Sequence, residues 1–283
     1  MLRLQVSLAL LLGAAGASFA QRTPLELRPV VGDTLRMRLD QTTEMSAARQ
    51  GTVTRQVTTR TVMLSRAIVE SEVADAVYIL AITDSVDVTS TDESARAAAL
   101  ANSRQLVGKS MRLRLSPDGS VAIADQPGTV SKSVVDLASV MPATFPREPV
   151  AVGDTWTREM PIAPAALARL MGPAGQGGVA RATFRLDSLS RQGELAYVSM
   201  HGTLESQPAS ATVPGAGALV VPTMGGSVMG TMVVNRRRGW LSQSRFVVDL
   251  RTVMSGADAA RAATEFHMRV TQQMRVFGRL PAR

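Results

Sequence analysis

The chain has 283 residues, 45% hydrophobic and 19% charged, with 31 Lys plus Arg against 23 Asp plus Glu and a formal net charge of +8. That length and apolar fraction support a sizeable core and exclude a disordered chain. With no Cys and only two His, the composition excludes a disulfide framework and argues against a zinc site of ordinary make-up.

The chain opens Met1-Leu2-Arg3, continues with an apolar run from Val6 to Ala15, and reaches small residues ending Ala17-Ser18-Phe19-Ala20. This is the layout of a secretory signal peptide over residues 1–20, with cleavage expected before Gln21. The run is too short to span a bilayer, and no Cys follows for acylation. A periplasmic or secreted protein is the expectation. The basic residues are almost all Arg and are spread among Thr, Ser and Asp. A solvated strand face explains them better than a nucleic-acid footprint, and peripheral contact with an anionic envelope surface stays open.

One stretch occurs twice. Pro29-Val30-Val31-Gly32-Asp33-Thr34 returns as Pro149-Val150-Ala151-Val152-Gly153-Asp154-Thr155, with each copy leading into a strand-like run. Gly permits a positive φ, Asp accepts a local backbone hydrogen bond, and Thr opens a strand. The repeat divides the mature chain into related halves, residues 21–141 and 142–283, of one β-rich domain.

Leu35, Met37 and Leu39 alternate with Arg36, Arg38 and Asp40, the pattern of a half-buried strand. Gly51 to Glu70 predicts a long strand, bulged near Met63. Val77 to Ser90 is its expected hairpin partner, with Tyr78, Leu80, Ile82, Val86 and Val88 sharing a face. Glu93 to Val107 switches to helical spacing, with Leu100, Ser103 and Val107 on one stripe. Ser110 to Leu115 and Val121 to Ala124 flank the turn Pro117-Asp118-Gly119. Val130, Val134, Leu137 and Met141 predict an amphipathic helix over 129–140. Pro142 to Pro149 is the expected linker, and Ala165 to Met171 a short helix.

The second half predicts more strands. Ala182, Phe184 and Leu186 alternate with Arg181, Thr183, Arg185 and Asp187. Glu194 to Leu204 follows a turn at Gly193. Val228 to Asn235 and Trp240 to Met254 form a hairpin around Arg236-Arg237-Arg238-Gly239. Phe266, Met268, Val270, Met274 and Val276 oppose Glu265, His267, Arg269, Thr271, Gln273 and Arg275. The fold expected is mainly β: a strongly curved antiparallel sheet or half-barrel of roughly ten strands, with about three helices over its concave face.

No motif for catalysis accompanies this. His201 and His267 lack a Gly-x-Ser-x-Gly partner, the glycines from Gly172 to Gly178 lack a Lys-Ser/Thr ending, and Asp84 and Asp87 read as surface charge on opposite strand faces. Catalytic, cofactor and metal residues are therefore expected to be none, and the protein is not expected to be an enzyme. Two features are less ordinary. Residues 206–235 carry no charge, with Pro208, Pro214 and Pro222 forbidding a continuous helix; a loop leading into a core strand is the simpler reading and a mobile apolar lid the other. Met is abundant, 15 in all, which fits core filling in an aromatic-poor chain or an adaptable apolar surface.

The paired Val-Gly-Asp-Thr motifs, each shortly after Pro-Val, the predicted helix before the second copy, and Ser116-Pro117-Asp118-Gly119 between strands resemble an uncharacterised family of exported bacterial proteins. Its layout is similar to the half-barrel carriers of lipoproteins and lipids in the bacterial envelope. The resemblance implies a curved sheet lined by helices with an acyl chain between them. Function is then expected to be non-enzymatic binding of a lipid, lipoprotein acyl chain or other apolar ligand, with the ligand contacts unassigned. The alternative is a structural or protein-interaction component of the envelope with a filled core. An outer-membrane barrel fits the alternation but lacks the aromatics for interfacial girdles.

Overall fold

The computed structural model describes residues 22–125, 140–141, 144–162, 178–206, 223–254 and 264–280. The predicted signal peptide, most of the predicted helix at 129–140, the short helix at 165–171 and most of the uncharged loop lie outside the described residues.

The described chain is mainly β and forms one antiparallel sheet. Its strands are β1 (Thr34–Arg49), β2 (Thr52–Val73), β3 (Ala76–Ser90), β4 (Ser110–Leu115), β5 (Val121–Asp125), β6 (Val140–Met141), β7 (Thr155–Ile162), β8 (Gly178–Leu189), β9 (Leu195–Ser206), β10 (Thr223–Asn235), β11 (Trp240–Met254) and β12 (Thr264–Leu280), with β6 only two residues long. Spatially they run β6-β5-β4-β3-β2-β1-β12-β11-β10-β9-β8-β7. Nearly every connection is thus a hairpin between neighbours, as short turns between alternating strands favour. The exception is the connection from β6 to β7, which lie at opposite edges, while the pairing of β1 with β12 over Thr34↔Leu280 to Arg49↔Thr264 joins the first and last strands at the centre of the sheet. The sheet neither closes nor curls strongly, unlike the strongly curved half-barrel expected from the sequence: β6 and β7 are its two open edges.

Both copies of the repeated motif make the same bonds. Gly32 N–H donates to Val69 O (2.9 Å), Val69 N–H to Asp33 O (2.9 Å), and Asp33 N–H to Val30 O (3.1 Å). In the second copy Gly153 N–H donates to Leu186 O (2.7 Å), Leu186 N–H to Asp154 O (3.1 Å), and Asp154 N–H to Ala151 O (3.0 Å). Each Gly has a positive φ, 88° and 95°, which a side chain would strain. The motif is therefore a turn that staples a strand's entry to the end of its partner.

One hydrophobic cluster takes in both wings of the sheet: Leu35, Ala67, Val69, Val77, Ile79 and Leu115 from one, Phe184, Leu186, Val198 and Val234 from the other. Two extended segments fill the space between them. In the first, Thr23, Leu25, Leu27 and Pro29 are buried and alternate with exposed residues. It bridges Thr23 to Val150 and donates Leu27 N–H to Pro117 O (2.9 Å). The second holds Phe145, only 2% exposed, whose N–H donates to Asp118 O (2.9 Å). Trp156 Nε1 reaches Thr144 O (2.8 Å), and the Trp156 ring stacks on Phe184 (5.7 Å, 10°). The expected linker from Pro142 to Pro149 is thus, in its described part, a core segment that ties the β4–β5 turn to β7.

The described residues contain one α-helix, α1 (Glu93–Arg104), packed against β3. Asp92 caps it by accepting from Ala95 N–H (2.9 Å) and Ser94 Oγ (2.6 Å). Those bonds, with Arg55 alongside, hold the Asp92 carboxyl well below the usual carboxylate range. The helix ends before the expected Val107, because Leu106 and Val107 N–H both turn back onto Ser103 O and Gly108 adopts φ 74°. Val140, placed by its spacing at the end of a helix, instead pairs with Ala122 in β6.

Strand bulges corrected one face assignment. Leu64 pairs with Ser85 and Ser65 with Thr83, leaving Asp84 as an extra residue in β3. The bulge advances the alternation by one. Val88 therefore continues the buried face of Val77 and Ile79, and Tyr78, Leu80 and Ile82 lie on the opposite face. Tyr78 there receives the Arg112 guanidinium at 5.2 Å from its ring centroid.

Candidate ligand-binding faces of the sheet

The period of two fixes what each face offers. On one face of the central strands, register aligns Met37 with Val276, Leu39 with Met274, Thr43 with Val270 and Val248, and Met45 with Met268 and Leu250. A polar row, Gln41 beside Gln272, crosses it. Met268 and Leu250 are buried, while Met37, Phe246, Val248, Val270 and Val276 are only partly so and pack at the margin of the core. Phe246 lies across Gly230, where an added Cβ would collide with the ring. Gly230 thus makes the room for this aromatic side chain.

The other face is polar and laced with ion pairs. Arg38 grips Asp40 through two nitrogens (2.7 and 3.0 Å), which holds the Asp40 carboxyl below its ordinary range. Arg66 meets Asp84 (2.8 Å), Arg112 meets Glu70 (2.8 Å), and Arg181 meets Glu159 (2.7 Å). These pairs are substantially exposed and contribute little stability each. His267 bonds Asp249 diagonally across β11 and β12 (2.9 Å). His201, on β9, is exposed and separate from that pair. Among the described residues no three His, Asp or Glu side chains gather as metal ligands would. Arg236, expected in an exposed turn, instead donates to Gly193 O (2.5 Å), while Arg237 pairs with Glu194 (3.1 Å); the β10–β11 turn is clamped to the β8–β9 turn.

A pocket of about 300 Å³ opens on the polar side of β12, β1, β2 and β3, lined by Arg36, Met37, Leu64, Ser65, Arg66, Asp84 and Phe277. It does not lie over the apolar face, where the carrier reading places a cavity. Two bulges flank it. One is at Asp84. The other is at Gly278, φ 74°, where Leu35 pairs with Arg279 and Arg36 with Phe277. The pocket was not legible from alternation alone, although an isolated Gly inside an alternating strand, as at Gly278, is the signal of a bulge.

Among the described residues no helix is long and apolar enough to cross a membrane, which leaves strands that cross one unaddressed. No family model matches the chain, so the exported family suggested by its motifs is not assigned to it. No curated protein matches it either. Solved structures give a distant likeness in strand layout. A structure of lipovitellin, described for its lipid–protein interactions, aligns at 9% identity and TM-score 0.49 over 90% of this chain and 26% of that one. The outer membrane protein OprG from Pseudomonas aeruginosa aligns at 8% identity and TM-score 0.22, over 88% of this chain and 99% of that one. An outer membrane channel from Pseudomonas putida F1 aligns at 9% identity and TM-score 0.24, over 89% and 97%. The chain spans about a quarter of the lipovitellin chain.

Proposed function

We propose that the protein is an exported, non-enzymatic binding protein that holds a lipid acyl chain or similar apolar ligand along the apolar face of its sheet. The observation that carries this reading is the band of partly buried apolar side chains, Met37, Val276, Val270, Val248 and Phe246, contiguous with the main core. Transfer of such side chains from water is favourable at roughly 25 cal/mol per Å² of apolar surface. A chain laid on the band would therefore stabilise the complex without any catalytic group.

The test is to produce the chain in a bacterial periplasm, purify it without detergent, and compare native with denaturing mass spectra. A near-stoichiometric lipid released on denaturation is expected, and Val270→Glu should abolish its retention while leaving the circular dichroism of the sheet unchanged. A clean apo mass with no uptake of added phospholipid or fatty acid would overturn the reading in favour of a structural or interaction role in the envelope.

A further inference from the structure

Pairing across the polar face leaves a cation without a partner beside the pocket. Register places Arg36 directly between Arg66 on β2 and Phe277 on β12, and Arg38 between Leu64 and Arg275. Arg38 is taken up by Asp40 and Arg66 by Asp84, whereas Arg36 has no carboxylate partner among the described residues. Two bulges, on strands either side of the β1–β2 pair, border the same spot. Bulges re-aim side chains and are over-represented beside functional sites. Apart from the Ser65 hydroxyl, the remaining walls are apolar: Leu64, the exposed ring of Phe277, and Met37. A volume of about 300 Å³ stands at the small end of ligand pockets.

We infer that this pocket binds a carboxylate or phosphate group carried on a short apolar body. Arg36 supplies the planar two-nitrogen fork that matches either anion. Phe277 and Leu64 cover the apolar body, and the Arg66–Asp84 pair closes the far wall and keeps Arg66 occupied. The site opens on the face opposite the apolar band, shares only Met37 with it, and does not depend on a lipid binding there.

The test is calorimetric titration of the full chain with octanoate, octyl phosphate and neutral octanol. Saturable binding of at least one anion, with octanol weaker by about tenfold or more, is expected. Arg36→Gln should weaken the anion by a similar factor, Arg36→Lys by less, and Arg104→Gln at the exposed end of α1 not at all. Binding of octanoate alone would identify a carboxylate, and of octyl phosphate alone a phosphate. No anion binding, equal binding of octanol, or unchanged affinity in Arg36→Gln would overturn the inference. So would loss of octanoate binding in Val270→Glu with retention in Arg36→Gln, which would assign the ligand to the apolar face.

Discussion

The two copies of the Val-Gly-Asp-Thr turn share their backbone bonds and differ in where the sheet puts them. Gly32-Asp33-Thr34 starts β1, a strand with β2 on one side and β12 on the other, and Asp33 is only 4% exposed. Gly153-Asp154-Thr155 starts β7, an edge strand, and Asp154 is partly open to solvent. The next residues diverge to match. Leu35 is buried at the centre, whereas Trp156 at the edge covers itself by stacking on Phe184 and by donating to Thr144 O. The same local code is thus a core element in one setting and a rim element in the other. Burial, and with it the cost of damage, comes from the neighbours.

That contrast can be broken in graded ways. Leu35→Ala removes a fully buried side chain between two strands and should cost about 3 kcal/mol in urea unfolding; a loss below ~1 kcal/mol would mean the centre of the sheet tolerates damage like its edge. Asp33→Ala is expected to cost about 2 kcal/mol, the scale for disturbing a buried, bonded polar group. Asp154→Ala loses the bond from Ala151 N–H (2.9 Å) at a site water can reach and should cost about 1 kcal/mol. Equal costs for the two Asp variants would show that the turn itself, not its setting, carries the stability. Gly153→Ala meets no atom within 4 Å, so its effect isolates the positive φ and should be about 1 kcal/mol. The smallest change is expected for Arg181→Gln at the β7–β8 edge, under about 0.5 kcal/mol and smaller still in high salt, because the Glu159 pair is exposed.

Much of the secondary structure was legible because it depends on near neighbours. The alternation over Leu35 to Leu39 and Ala182 to Leu186 is reproduced by the burial of β1 and β8. The turn glycines Gly32, Gly119, Gly153, Gly193 and Gly239 all adopt positive φ. The same reading failed where one residue breaks the period. At Asp84 a bulge exchanged the faces of β3, and at Gly278 another opened a pocket that alternation cannot locate. The candidate site was accordingly legible only in part: the apolar row could be read from β12, but not the convergence of Arg36, Arg66 and Phe277 from three strands.

The sequence by itself determined an antiparallel β protein with amphipathic strands and a twice-used entry turn, because those properties are written in spacings of two to six residues. Tertiary structure alone decided that β1 pairs with β12, that Phe145 and the segment from Thr23 to Pro29 fill the core between the wings, and that one copy of the turn is central and the other at the rim. Those outcomes hang on contacts between residues far apart in the chain, from Phe145 with Asp118 to Thr23 with Val150, for which a linear pattern carries no record.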